Sequence, residues 1–199
     1  EYRRQRQMCI RDRQNRIDAK YDKKKLNDKD LESLISEVRQ GNINGLNITV
    51  PFKNAVIPYL DKLSDESKKT QAVNTVYMKD KKIIGHNTDI NGFERAIKKI
   101  NFDFYNKTIF ILGAGGVVPS IVYASMKMGS SEILISNRTK EKAEKIKNIF
   151  DNVKLINWGE VPNFDVMINA TSLGLNQEDK LNLDLTQIGK NKLFYDVIY

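Results

Sequence analysis

From residue 105 onward, short apolar runs alternate with charged amphipathic stretches, the pattern of strands that alternate with helices. Thr108-Ile109-Phe110-Ile111-Leu112 is apolar on both parities and predicts a strand buried on both faces. A helix is expected from the following glycine turn to about Met128, then a strand at Glu132–Ser136 and a helix at Lys140–Phe150. Shorter strands are expected at 153–156, 164–170 and 193–197. Together these predict a parallel, doubly wound sheet.

The first hundred residues carry a different pattern. Leu31, Leu34, Ile35 and Val38 recur at helical spacing, which predicts a helix near 28–40 with Asn27 as cap and Gly41 as stop. Residues 18–26 read as a short strand. Along 45–50, Leu46, Ile48 and Val50 fall on one side of a strand, facing the core, and Asn47 and Thr49 on the other; Pro51 ends it. A hairpin is expected from 73–78 and 82–86 around Lys79-Asp80-Lys81, followed by a helix at about 90–100. The fold class is therefore α/β with two domains, divided near residues 101–106: a partial N-terminal α/β unit, then a Rossmann-like doubly wound unit.

Composition narrows this only a little. The chain of 199 residues is 40% hydrophobic, enough for buried cores, and no run approaches the ~18 apolar residues of a membrane span. One cysteine excludes an internal disulfide framework and a multi-cysteine zinc site, and fits the cytoplasm. The single His86 lacks a Cys or His partner and reads as structural or exposed, so no metal is expected. The net charge of +8 is uneven, because residues 1–16 hold six arginines against two acidic residues. This arm, containing Cys9, lacks apolar periodicity. Residues 1–14 read as non-native or disordered sequence, with a native basic arm or a targeting segment as alternatives.

Chemistry enters at Gly113-Ala114-Gly115-Gly116-Val117. A strand-to-helix turn without bulky side chains admits a pyrophosphate, towards which the new helix points unpaired N–H groups. An ordinary glycine-rich turn is the plainer alternative. Val118 takes the third small position of the usual fingerprint, and Pro119 is tolerated in a first helical turn. The next strand ends in Ser136-Asn137-Arg138-Thr139, with no carboxylate to accept ribose hydroxyls. Arg138 instead presents a planar, permanently charged fork suited to a 2′-phosphate, and Thr139 adds a hydroxyl. NADP(H) is thus expected over NAD.

In the first unit, Asn47-Ile48-Thr49-Val50-Pro51-Phe52-Lys53 resembles the lysine motif of shikimate dehydrogenases. Ala72-Val73-Asn74-Thr75 and Asn87-Thr88-Asp89-Ile90-Asn91-Gly92-Phe93 resemble the next two motifs in order. Gly113–Gly116, Asn137-Arg138-Thr139, Asn169-Ala170-Thr171-Ser172 and Tyr195-Asp196-Val197-Ile198-Tyr199 resemble those of the cofactor half. The resemblance covers about residues 15–199. It implies reduction of 3-dehydroshikimate to shikimate with NADPH, a substrate-binding and catalytic domain at 15–103 and an NADP-binding domain at 104–199, both incomplete.

By the same resemblance Lys53 is the catalytic lysine and Asp89 its carboxylate partner. An ammonium beside the carbonyl stabilises the alkoxide that hydride arrival creates and supplies its proton, and a carboxylate holds that ammonium in place. Asp89 also suits a helix cap. Asn47, Thr49, Asn74 and Tyr199 are the expected substrate contacts. Gly113 to Val117, Asn137, Arg138, Thr139, Thr171, Ser172 and Val197 are the expected cofactor contacts.

The family also has an earlier substrate-gripping segment and later helices that the chain lacks, so this polypeptide is expected to be nearly inactive by itself. Partners are expected to be small molecules, with neither nucleic acid nor membrane, in a monomer or homodimer. An NAD-using quinate/shikimate dehydrogenase, a non-catalytic NADP-binding protein and a nucleic-acid binder acting through the arm are the alternatives.

Overall fold

Leu31, Leu34, Ile35 and Val38 are all buried, and this apolar stripe makes α1 (Leu31–Arg39) the cover of the first sheet. The computed structural model describes residues 10, 12, 14–176, 178, 179, 183–186 and 188–197. Cys9 and most of the basic arm lie outside the described residues, as does Tyr199.

The first sheet contains β1 (Gly45–Asn47), β2 (Lys62–Leu63), β3 (Thr75–Lys79) and β4 (Lys82–His86) in the order β1-β3-β4-β2. β3 and β4 pair antiparallel with Lys79 opposite Lys82. Their two-residue turn, Asp80 (φ 51°) and Lys81 (φ 59°), has the left-handed backbone that matches strand twist in a tight hairpin. Ile35 and Val38 pack with Ile48, Val56, Val73, Val76 and Ile83 as this unit's core. Between the strands lie two short helices, α2 (Phe52–Ala55) and α3 (Asp65–Thr70).

Four sequence expectations fail in this unit. Residues 18–26 form no strand, because their run of Lys and Asp offers no apolar alternation to bury. β1 stops at Asn47, so Thr49 lies beyond it and Val50 is 64% exposed instead of facing the core. The chain turns at a cis Val50–Pro51 bond and enters α2. At the start of α1 it is the Asp30 carboxylate that accepts the Asn27 N–H (2.8 Å), the reciprocal half of a capping box.

One clasp has a testable pH signature. Arg39 on α1 donates twice to Asp61 (2.8 and 3.0 Å), which also accepts the Ile83 N–H (2.7 Å). The Arg39 bonds, then the Ile83 amide, hold the Asp61 pKa below its ordinary value. A carboxylate with a lowered folded pKa stabilises above its unfolded pKa, and the effect is lost as pH falls through the folded value. Asp61→Asn should therefore melt earlier than wild type near neutral pH, with the gap closing as pH falls below the ordinary carboxylate range. A gap in melting temperature that stays constant with pH would contradict this.

The second sheet is wholly parallel: β5 (Thr108–Leu112), β6 (Glu132–Ser136), β7 (Val153–Ile156), β8 (Val166–Asn169) and β9 (Leu193–Asp196), in the order β7-β6-β5-β8-β9. Ile109 and Ile111 face one core, Phe110 and Leu112 the other, which is why β5 reads as an unbroken apolar run. On the first face pack α4 (Asp89–Lys99), α5 (Val118–Lys127) and α6 (Lys140–Lys147). Among the described residues the second face is lined by Ile156, Val161, Phe164, Leu183, Leu185 and Ile188.

α6 ends three residues before Phe150, which is nonetheless buried. α4 follows the first sheet in sequence but buries Ile90, Phe93 and Ile97 in the core of the second. Phe93 meets Tyr195 edge-on with ring centroids 5.3 Å apart. The two units are thus joined by a packed helix.

Candidate active site

In an open parallel sheet the strand order reverses at a switch point, and a crevice opens there at the carboxyl ends of the strands. Here the chain goes from β5 to β6 and β7 on one side, then to β8 on the other. The turn after β5 lies at this point. Gly113 has φ +106°, and a methyl built on it would sit 2.6 Å from the Ala170 carbonyl oxygen. No residue with a Cβ fits there. Among the described residues, the N–H groups of Ala114, Gly115, Gly116 and Val117 take no partner, and α5 begins at Val118. Val118 is itself fully buried in the core beneath the turn.

The neighbouring strand ends complete this rim. After β6, Asn137 donates to the Thr139 carbonyl (2.6 Å), which shapes the turn that exposes Arg138. No carboxylate pairs with Arg138 among the described residues. After β8, the Asn169 carboxamide oxygen accepts the Thr171 hydroxyl (2.7 Å) and amide (3.1 Å), and its nitrogen donates to Asp196 (3.0 Å). Ser172 follows, exposed, on the same loop. Beyond β9, the Val197 N–H donates to the Asn169 carbonyl (3.1 Å) and its side chain packs on the core.

The first unit contributes a buried ion pair. Lys53 stands on α2 and is 7% exposed. Its backbone is anchored by the Val73 N–H, which donates to the Lys53 carbonyl (2.8 Å). Lys53 Nζ donates to Asp89 Oδ2 at 2.5 Å. Asn74 Nδ2 donates to Asp89 Oδ1 (2.8 Å), while Asn74 Oδ1 accepts the Thr88 N–H (3.0 Å). The Asp89 carboxylate is therefore spent on Lys53 and Asn74 and does not cap α4, although Asp89 is that helix's first residue.

Asn47 ends β1, exposed, and its carboxamide oxygen accepts the Tyr21 hydroxyl (2.9 Å). Thr49 is exposed in the turn before α2, where its carbonyl accepts the Phe52 N–H (2.9 Å). Sequence order separates Lys53 from the glycine turn by sixty residues, yet the two meet. A methyl built on Gly116 would lie 3.5 Å from Lys53 Cδ and 3.7 Å from Val50 Cγ2.

A model of the shikimate dehydrogenase substrate binding domain matches residues 9–76, and one of shikimate / quinate 5-dehydrogenase matches residues 94–189. The NADP(+)-dependent shikimate dehydrogenase of Pelagibacter ubique is 50% identical over 184 residues, which cover 92% of this chain and 69% of that protein. The chain belongs to the shikimate dehydrogenase family.

Two crystal structures extend the comparison. Shikimate dehydrogenase of Aquifex aeolicus superposes with a TM-score of 0.79 at 36% identity, covering 87% of this chain and 65% of that one. The Thermus thermophilus enzyme, in complex with NADP(H) and shikimate, has a TM-score of 0.75 at 28% identity, covering 86% and 64%. The chain spans roughly two thirds of these shikimate dehydrogenases.

Two site residues escaped the sequence reading. Val50 forms part of the wall between the ion pair and the glycine turn. Asn87 is fully buried beside Asp89. The signal for Asn87 was its parity: Ile83, Gly85 and Asn87 all point inward, and an inward polar group has to find partners.

Proposed function

We propose that this protein performs the shikimate dehydrogenase reaction, the NADPH-dependent reduction of 3-dehydroshikimate to shikimate, in the cleft between Lys53 and the glycine turn. The approach of the Lys53 stem to Gly116 carries this reading, because it puts the buried ion pair of Lys53 next to a turn suited to a dinucleotide. NADP fits the rim: Gly113 lets the turn pack tightly on the Ala170 backbone, and the unpartnered amides from Ala114 to Val117 suit a pyrophosphate. Arg138 suits a 2′-phosphate, Asn137 and Thr139 shape its turn, and Thr171, Ser172 and Val197 border the nicotinamide end. Bound there, NADPH supplies the hydride.

Lys53 holds its ammonium where the ketone oxygen gains negative charge, and donates a proton to that oxygen. Asp89 keeps the ammonium aimed and, with Asn74, offers hydrogen bonds to the ring hydroxyls. Asn47 and Thr49 face the polyol from β1 and its turn, and the family resemblance adds Tyr199 as a further substrate contact. Residues 15–103 hold the substrate and residues 104–199 the cofactor, a division that follows the two separate sheets. Among the described residues no helix is long and apolar enough to cross a membrane. The single cysteine suits a cytoplasmic setting.

The test is NADPH oxidation with 3-dehydroshikimate in the full-length protein, repeated with NADH. Wild type should prefer NADPH. Arg138→Leu should weaken NADPH by about 10- to 100-fold, the worth of charge-assisted bonds to a phosphate, and leave NADH nearly unchanged. Equal weakening of both cofactors would remove the 2′-phosphate role.

A further inference from the structure

Asn87 is fully buried, and its carboxamide joins three parts of the molecule. Its nitrogen donates to Thr70 Oγ1 (3.1 Å) at the end of α3, to the Ala72 carbonyl (3.1 Å) and to Ser120 Oγ (2.9 Å) in the first turn of α5. Its oxygen accepts the Asp89 N–H (3.0 Å). The orientation of the amide is unambiguous, since a carbonyl only accepts and an N–H only donates. Thr70 Oγ1 already donates to the Glu66 carbonyl (2.7 Å), so it too is an acceptor towards Asn87. Ser120 is fully buried as well.

These bonds close a ring. Gly116 of the turn lies next to the Lys53 stem, with room between them for little more than a methyl, Lys53 pairs with Asp89, the Asp89 N–H is held by Asn87, and Asn87 holds Ser120. The peptide from 116 to 120 completes the circuit, through the helix start whose amides suit the pyrophosphate.

We propose that Asn87 and Ser120 are a positioning pair, which holds the amino end of α5 in register with the Lys53–Asp89 ion pair and so sets the distance from hydride donor to proton donor. Neither residue touches substrate or cofactor. They act through Asp89 and through the helix start. The inference rests on the proposed reaction.

Removing the Ser120 oxygen is the mild way to open the ring, because the Asn87 nitrogen keeps two acceptors, Thr70 and Ala72. Ser120→Ala, and Ser120→Cys with a weakly accepting atom of similar size, should each lower kcat about tenfold. The dissociation constants of NADPH and shikimate, titrated separately, should stay within twofold. The deuterium isotope effect on kcat with 4-deuterated NADPH should rise. In protein without ligands, the Asp89 backbone amide should exchange faster. Ser120→Thr, which keeps the oxygen, should behave as wild type in all four respects.

A kcat within twofold of wild type in both variants would overturn the proposal. So would unchanged exchange at Asp89, or equal losses of kcat and NADPH binding. Failure of both variants to fold while Ser120→Thr folds would also overturn it, by making the bond a general stabiliser. An inactive full-length wild type would instead sink the proposed reaction, while the exchange measurement still reads the ring.

Discussion

Lys53→Ala is expected to lower kcat by roughly 10²- to 10⁴-fold, the range for losing a positioned proton donor, while NADPH binds within about threefold of wild type. The separation follows from geometry. The aliphatic stem of Lys53 is what lies next to Gly116 of the glycine turn, while its ammonium points to Asp89. Asp89→Asn keeps the size of the side chain but leaves a buried ammonium without its counter-charge. Losing one partner of a buried pair costs about 3–5 kcal/mol. Asp89 retains some solvent contact, so the lower end applies here. That variant should lose turnover and some stability together.

Combining the two changes should do no more harm to kcat than Lys53→Ala alone, because residues that act as a unit are non-additive. Steady-state rates and NADPH titrations of the three variants check this. Multiplicative losses, or NADPH binding that falls in step with kcat, would show that Lys53 and Asp89 do not form one catalytic unit.

The second large effect is on stability. Gly113→Ala adds a methyl 2.6 Å from the Ala170 carbonyl oxygen and 2.8 Å from its carbon, both backbone atoms, at φ +106°. Overpacking costs about 1–3 kcal/mol and left-handed backbone about 1–2 more. At about 2–4 °C per kcal/mol for a chain of this size, the melting temperature should fall by roughly 10 °C. NADPH affinity should drop with it, since relief requires the turn or the loop after β8 to shift. Gly92 in α4 is the control, because a methyl there meets nothing within 4 Å. Gly92→Ala should hold or raise the melting temperature, by up to about 1 kcal/mol of helix propensity. Thermal melts of the pair decide the point. A Gly113→Ala protein as stable as wild type would mean that the turn is not constrained as described.

Much of this architecture was legible from residue pattern. β5 and β6 fall at the residues that the apolar runs mark out, because a strand buried on both faces must be continuously apolar. α1 and α4 follow from helical spacing, and the β3–β4 turn from polar residues between two alternating runs. The residues around Gly113 and Arg138 could be singled out from the chemistry of a phosphate-binding turn, and those around Lys53, Asn74 and Asp89 from the family resemblance of their motifs. Short, exposed segments were read less well. At 18–26 and at Val50 a short stretch reads as strand, while the fold leaves the first irregular and turns the chain at the second.

Sequence by itself determined the longer elements, the parallel character of the second sheet and the chemical identity of the groups along its rim, since these depend on local pattern and residue type. Tertiary structure alone decided which groups meet. Lys53 reaches Asp89 and Gly116, Asp89 gives up capping to hold Lys53, and Asn87 ties α5 to both, across 36, 63 and 33 residues of separation. The physical reason is that α4 buries its apolar face in the second core while its first residue stays at the first sheet, so the packing of one helix brings distant polar groups within bonding range.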